Sequence, residues 1–418
     1  MIFCPSRQTA APSPPSPMES QDMLAEILLR LSPQPSSLPR ASLVCKRWRR
    51  LVTDPGFLRR FRAHHCKQPI IGVFFALNRG KPSFRPTLDT PDSIPPDRFS
   101  LRLEGDAWHF HGCRHGRVLL TRSDVYGFYI QQVMVWDPVT GDQRRLGVPP
   151  SDHGWSSSEV AAAVVCAADR GKGHVHGGCP FKVVLVCNDT VVLPQLFACV
   201  YSSETGTWGN LISRSDWSRA TVNPRNIMVG NSLYWFLFFP EVGILEFDLD
   251  KESFAEIEVP PEAHTRHSSL FLSTLTKNGG LGFITVLGFT LQVWERTADR
   301  GGVTRWVQGQ TIELHNLLAP RTGWMWRRVL WIDGDHNVTF LLTNDGVYMV
   351  HLESMQYKRI FVDSRPFSIF DVPNIIPFTS LYAAVYNSLS VHCNNNKTCI
   401  VIIVRSNITH SFYFVACL

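Results

Sequence analysis

Val135-Trp136-Asp137-Pro138-Val139-Thr140-Gly141-Asp142 reads as the end of one strand, a polar turn and the start of the next strand. The β-prone residues close on an aromatic ring. The residues after the ring carry turn chemistry: Asp bonds nearby backbone, Pro presets φ, and Gly accepts a positive φ. The unit recurs as Val200-Tyr201-Ser202-Ser203-Glu204-Thr205-Gly206-Thr207 and as Glu246-Phe247-Asp248-Leu249-Asp250-Lys251-Glu252-Ser253. Val293-Trp294-Glu295-Arg296 is a looser copy, and Val350-His351-Leu352-Glu353-Ser354 is the last. The anchors at 136, 201, 247, 294 and 351 are spaced 65, 46, 47 and 57 residues apart. Propeller blades repeat every ~40–50 residues, so two intervals fit and two carry insertions.

Around these units the chain from about residue 68 onward alternates short β-prone runs with Gly, Asp, Asn and Pro turns. The runs include Val118–Leu120, Val133–Trp136, Val183–Val186, Leu233–Phe239, Gly282–Leu287, Val338–Leu342 and Gly346–Val350. Many short strands with regular turns indicate a sandwich, a barrel or a propeller, and the repeat favours the propeller.

The N-terminal part is different. Leu24, Ile27, Leu28 and Leu31 fall at helical spacing and form one apolar stripe. Ser32-Pro33 ends this helix, because proline lacks the amide donor and clashes with the preceding turn. Pro39 suits the first turn of a second helix, on which Val44, Trp48 and Val52 lie four apart. Asp54-Pro55 forms an N-cap and first-turn pair for a third helix, with Phe57, Leu58 and Phe61 on its apolar face. A unit this small has little core of its own, so it needs a partner or the rest of the chain, as a docking module would.

The expected architecture is therefore α plus all-β and multidomain. A three-helix unit at 19–66 comes after a Pro/Ser-rich leader at 1–18, expected to be disordered. Residues 67–112 are a connecting segment with first strands. Residues 113–387 form a propeller-like domain of about six blades, its closure left open, and 388–418 are an atypical tail. The composition is 44% hydrophobic and 18% charged, which allows an ample core. A net charge of +6 is too mild and too scattered to suggest a nucleic-acid stripe. The 11 cysteines show no disulfide or C-x-x-C pattern, and neither a signal peptide nor a run of 18 apolar residues stands out. The expectation is a cytoplasmic or nuclear protein that does not use a membrane.

Residues 21–62 resemble the F-box family. The resemblance rests on Gln21-Asp22-Met23-Leu24-Ala25-Glu26-Ile27-Leu28-Leu29-Arg30-Leu31 and on Ser37-Leu38-Pro39-Arg40-Ala41-Ser42-Leu43-Val44-Cys45-Lys46-Arg47-Trp48. More loosely, the β region resembles the F-box-associated propeller-like domains of the large plant families. Its matching pieces are Gly112-Cys113-Arg114-His115-Gly116-Arg117-Val118-Leu119-Leu120, Gly230-Asn231-Ser232-Leu233-Tyr234-Trp235 and Thr343-Asn344-Asp345-Gly346-Val347. Glu19-Ser20 stands where the family usually opens its first turn with Leu-Pro.

The resemblance implies a non-catalytic substrate receptor of a Skp–cullin–F-box ubiquitin ligase. Its partners would be a Skp-family adaptor, through it the cullin and RING subunits, and a protein substrate. The implied docking residues are Met23, Leu24, Ile27, Leu28, Leu31, Pro33, Leu38, Leu43, Val44, Cys45 and Trp48, and losing both Leu28 and Trp48 would abolish adaptor binding. Some of the same residues would also pack the helices together. The alternative is a protein-interaction scaffold that works without a cullin.

Other constellations point to nothing stronger. His174-x-His176-x-x-Cys179 has no second ligand pair, and His64-His65-Cys66 is weaker still. Asp333-Gly334-Asp335 lacks the remaining oxygen ligands of a calcium loop and reads as a strand turn. Gly171-Lys172-Gly173 lacks the phosphate-loop spacing. Lys46-Arg47-Trp48-Arg49-Arg50 reads as a solvated helix face around one tryptophan. No catalytic set, metal or cofactor is expected, and a galactose-oxidase-like propeller enzyme is disfavoured for that reason. Trp324, Trp326, Arg327 and Arg328 cluster between strands. Either they pack blades or they form part of a substrate-binding rim.

Overall fold

The N-terminal apolar stripe is helical in the computed structural model. The structure describes residues 21–65, 67–76, 83–101, 103, 107–150, 155–156, 160–167, 179–189, 195–214, 221–238, 241–263, 268–276, 279–298, 301–314, 326–343, 346–361, 374–380, 399–405 and 411–417. The leader, Glu19-Ser20, Gly171–Gly173, His174, His176 and Trp324 lie outside these residues. The chain divides into two compact units, Lys67–Ser380 and a second made of Met1–Cys66 with Leu381–Leu418.

Four short helices build the N-terminal part: α1 (Gln21–Leu29), α2 (Ser37–Ser42), α3 (Lys46–Val52) and α4 (Pro55–His64). The first closes by tightening its last turn, with the amides of Arg30 and Leu31 bonding the carbonyls of Ile27 and Leu28. The second predicted helix is split in two. The Ser42 hydroxyl donates back to the Pro39 carbonyl at 2.6 Å, and Cys45 is fully extended at φ −162°, ψ 170°. Val44 and Trp48 therefore do not share one helical face. Asp54 caps α4 as its position predicts, accepting the Phe57 amide at 2.7 Å. Leu24, Leu28, Leu29, Leu38, Val52, Phe57 and Phe61 form a common core. An ion pair between Glu26 and Arg60 joins α1 to α4 at the surface.

The other unit is a six-bladed β-propeller. Strands β1 (Ile70–Ala76) and β2 (Ser83–Pro86) come first. One blade then holds β3 (Trp108–Arg114), β4 (Arg117–Ser123), β5 (Ile130–Trp136) and β6 (Gln143–Leu146). The next holds β7 (Val160–Cys166), β8 (Phe181–Asp189), β9 (Gln195–Ser202) and β10 (Thr207–Trp208), with β11 (Ile212–Arg214) also on β9. It is followed by β12 (Thr221–Val229), β13 (Ser232–Phe238), β14 (Gly243–Asp248) and β15 (Ser253–Glu258). After these come β16 (Ser269–Ser273), β17 (Gly282–Leu287), β18 (Thr290–Ala298) and β19 (Thr304–Glu313), then β20 (Trp326–Asp333), β21 (Val338–Thr343), β22 (Val347–His351) and β23 (Tyr357–Phe361).

Strand β24 (Asn374–Thr379) returns to pair antiparallel with β1, so the remaining blade runs β2-β1-β24 and is built from both ends of the unit. The inner strands β3, β7, β12, β16, β20 and β24 neighbour one another in turn, and β24 meets β3. Each of these strands is the edge of its own sheet, and the ring shelters those short edges at the axis. Phe74 of β1, Phe84 of β2 and Phe378 of β24 stack edge-on, with Phe99 against Phe84 and Phe378, and Trp136 of the next blade against Phe74. Later in the chain, β25 (Cys399–Arg405) and β26 (Ser411–Cys417) form an antiparallel pair.

The middle strands show why the apolar runs are continuous rather than alternating. Each middle strand faces two blade interfaces. Val183, Leu185 and Cys187 of β8 enter one core and Val184 and Val186 the next. Leu233, Trp235 and Leu237 of β13 face one side, Tyr234 and Phe236 the other. Successive side chains of a strand point to opposite faces, so a strand buried on both faces must be apolar at every position.

All five repeat anchors sit on the third strand of a blade: Trp136, Tyr201, Phe247, Trp294 and His351. The turns after four of them share one geometry. Gly141 (φ 84°), Gly206 (75°), Glu252 (49°) and Met355 (56°) each lie four residues past the turn's first residue and carry the left-handed conformation. The looser unit at Trp294 has a different reason. Its strand continues to Ala298, so the turn comes four residues later than the sequence pattern places it.

Candidate functional site

The F-box-like helices divide the eleven predicted docking residues by position. Leu24 and Leu28 are completely buried, and Leu38 nearly so, within the core of the helices themselves. Leu31 and Trp48 are half-buried against that core, and Pro33 and Leu43 are also half-buried. Met23 and Ile27 remain 49% and 40% exposed, one turn apart on α1. Val44 is 62% exposed, and Cys45 beside it is exposed. The apolar stripe thus has an inner row, Leu24 and Leu28, and an outer row, Met23 and Ile27. A rigid partner can touch only the outer row; the inner row holds the helices together.

On the propeller, the inner strands β3, β7, β12, β16 and β20 all start on one face, and the hairpins between second and third strands return to it. Arg328, near the start of β20, is exposed there. Trp326 and Arg327 occupy the first two positions of β20. A cavity of about 550 Å³ opens on this face, lined by Asn223, Arg225, Phe238, Phe271 and Arg328 among others. The Arg225 guanidinium is held between two rings, 5.6 Å from the centre of Phe271 and 5.5 Å from that of Trp331. The same face carries the β4–β5 hairpin, where Val125, Tyr126, Phe128 and Tyr129 project into solvent, Val125 at 92% exposure. Sequence reading missed this hairpin. Asp124-Val125-Tyr126-Gly127-Phe128-Tyr129 looks like one more β-prone run until the strand ends are known.

Residues 20–60 match the F-box domain. Residues 109–386 match the family described as F-box protein AT5G49610-like, beta-propeller. The chain belongs to this family. A comparison with curated proteins finds no match. F-box domains typically bind Skp1-type adaptors, and an F-box followed by a propeller is an architecture typical of non-catalytic adaptor proteins. No helix among the described residues of this F-box protein is long and apolar enough to cross a membrane.

The Asp333-Gly334-Asp335 turn of this F-box protein has a structural use. Asp335 accepts the Thr274 hydroxyl at 2.6 Å from the preceding blade. Asp333 accepts both the His336 amide at 3.0 Å and His336 Nδ1 at 3.1 Å. The other ring nitrogen, Nε2, faces the Gln68 carbonyl at 2.6 Å, just ahead of β1. Two acceptors facing the two ring nitrogens suit the imidazolium, the one form in which both nitrogens donate. Burial alone lowers the His336 pKa, but the hydrogen bond and charge of Asp333, with the Gln68 carbonyl and Asp335, outweigh it and raise the value above 6.5. A group whose folded pKa is raised contributes stability that is fully present below its unfolded pKa and is lost as pH rises through the folded one. The melting temperature of the propeller, relative to a His336→Gln variant, is therefore expected to be higher at about pH 5.5 than at about pH 8.5. An equal difference at both pH values would show that the ring is not held as the cation.

Proposed function

We propose that this chain is the substrate receptor of a Skp–cullin–F-box ubiquitin ligase, acting in the cytoplasm or nucleus. The observation that carries the reading is the two-row stripe of α1. The inner leucines satisfy the helices' own core, and Met23 and Ile27 still stand outside it, with Val44 exposed in the link between α2 and α3. Exposed apolar side chains outside a formed helical core suit coverage by another subunit. The adaptor, and through it the cullin and RING subunits, would dock on Met23, Ile27, Val44 and Cys45. Leu24, Leu28, Leu31, Pro33, Leu38, Leu43 and Trp48 would shape that surface from within.

The propeller would hold a protein substrate on the face that carries Arg328, the start of β20 and the aromatic β4–β5 hairpin. Aromatic and arginine side chains are the usual anchors of such interfaces. The chain then needs no chemistry of its own. Tethering a substrate beside a charged conjugating enzyme turns an encounter into a local event, at effective concentrations on the order of mM.

Co-purification of the full chain with a Skp-family adaptor and a cullin tests the reading. A stoichiometric complex is expected. A folded chain that captures proteins through its propeller yet recruits neither subunit would instead be a cullin-independent scaffold.

A further inference from the structure

Strand β3 carries a bulge at His111: Phe110 faces Leu120 and Gly112 faces Leu119, so His111 is the extra residue. A bulge re-aims a side chain. His111 lines a small axial cavity of about 50 Å³, together with Gly112 and Arg114 of β3, Ala162 of β7, Asn226 of β12 and Trp331 of β20. The cavity lies nearer the ends of β3, β12 and β20 than their starts. Gly112 leaves open a space that a Cβ would occupy, with no atom within 4 Å of it. His111 is only 9% exposed, its Nε2 lies 2.8 Å from the Thr121 hydroxyl, and its Nδ1 is buried with no hydrogen-bond partner. Burial, with His109 nearby, lowers its pKa to about 3, so the imidazole is neutral. Nδ1 then carries the ring proton when Nε2 accepts the Thr121 hydroxyl. Arg114 makes no hydrogen bond or ion pair with another described residue. Burial lowers its pKa to about 10, so it stays a cation at neutral pH. Asp335, the carboxylate whose charge reaches Arg114, accepts the Thr274 hydroxyl. Among the described residues no acidic side chain lines the cavity, and burial raises the pKa of the Cys113 thiol there, keeping it neutral.

We propose that this axial cavity binds one small monovalent anion of the size of chloride, between His111 and Arg114. Buried donors without acceptors destabilise a fold, and a charged donor does so most. Water can meet the hydrogen bonds of these two side chains, but only an anion also meets the guanidinium charge inside a low-dielectric wall. The space holds on the order of three to five water-sized bodies at ~10–15 Å³ each, which leaves no room for the carbon frame of a phosphate ester or an organic acid. An anion held there, among the inner strands of four blades, makes the stability of the propeller depend on the anion's concentration. This site is independent of what the propeller holds on its outer face.

Urea unfolding of the full-length chain in chloride–gluconate mixtures at fixed ionic strength tests the proposal. Once chloride exceeds its dissociation constant, the folding equilibrium constant of the propeller should rise about tenfold for each tenfold rise in chloride. Arg114→Gln removes the charge and should flatten that dependence. Crystals of the unaltered chain soaked in bromide give a second measurement, which stands even where Arg114→Gln does not fold. An anomalous scattering peak is expected in the cavity beside His111 and Arg114. Equal stability in chloride and gluconate overturns the proposal. So does a chloride dependence that persists unchanged in Arg114→Gln, which would be a general salt effect, or ordered water without bromide in the cavity.

Discussion

Met23→Glu combined with Ile27→Glu is expected to abolish co-purification with a Skp-family adaptor while leaving the helical signal of the F-box unchanged. Both side chains stand outside the helices' shared core, so the substitutions leave that core's packing in place. They place two carboxylates, one helical turn apart, on a surface that an adaptor must desolvate. Truncating a central interface anchor costs about 2–4 kcal/mol, and burying an unpaired charge adds to that. The loss in affinity should be on the order of thirtyfold to a thousandfold. Leu28→Ala is the informative contrast. Leu28 has no exposed surface, so its truncation leaves a cavity and should destabilise the helices by about 2–5 kcal/mol. Loss of adaptor binding in Leu28→Ala with Trp48→Ala would thus include unfolding of the helices, because Leu28 has no surface for a partner to touch. Retained adaptor binding by the folded Met23→Glu/Ile27→Glu protein would reject the outer row as the docking surface.

Phe378→Ala is expected to lower the stability of the propeller by about 3–5 kcal/mol, a large share of the ~5–15 kcal/mol typical of a domain. Phe378 is fully buried on β24, the strand that returns from the far end of the unit to complete the first blade. Its ring meets Phe74, Phe84 and Phe99, so the deletion removes the common contact of β1, β2 and β24. A closed ring loses more than one strand when its closing contact fails, because the neighbouring blades then expose their facing sides. Denaturant titration should show a lower midpoint with the F-box signal unaffected. Phe128→Ala removes the same chemical group from an exposed hairpin and should change stability by no more than about 0.5 kcal/mol. Equal effects of the two substitutions would mean that β24 does not close the ring.

Much of this molecule can be read from local order along the chain. Short-range chemistry settles the strands that are buried on both sides, because a continuous apolar run admits little else. It also settles the turn at Asp137–Gly141, where a left-handed residue is needed, and the cap at Asp54. The edge strands are harder to read. Ser253–Glu258 is mostly exposed and half polar, and its partner β14 rather than its own composition makes it a strand. The local pattern misplaces the turn after Trp294, because strand length there depends on pairing with β19, which no short stretch reports.

The amino-acid order alone determined that an amphipathic helical unit precedes a repeating β domain, because periodicity and turn chemistry act over a few residues. Tertiary structure decided which leucines of the stripe face inward, that Asn374–Thr379 closes the first blade, and that Arg225 and Arg328 share a cavity. These three facts join residues separated by up to about three hundred positions or depend on which side of a helix is covered, and only packing of the whole chain sets such contacts.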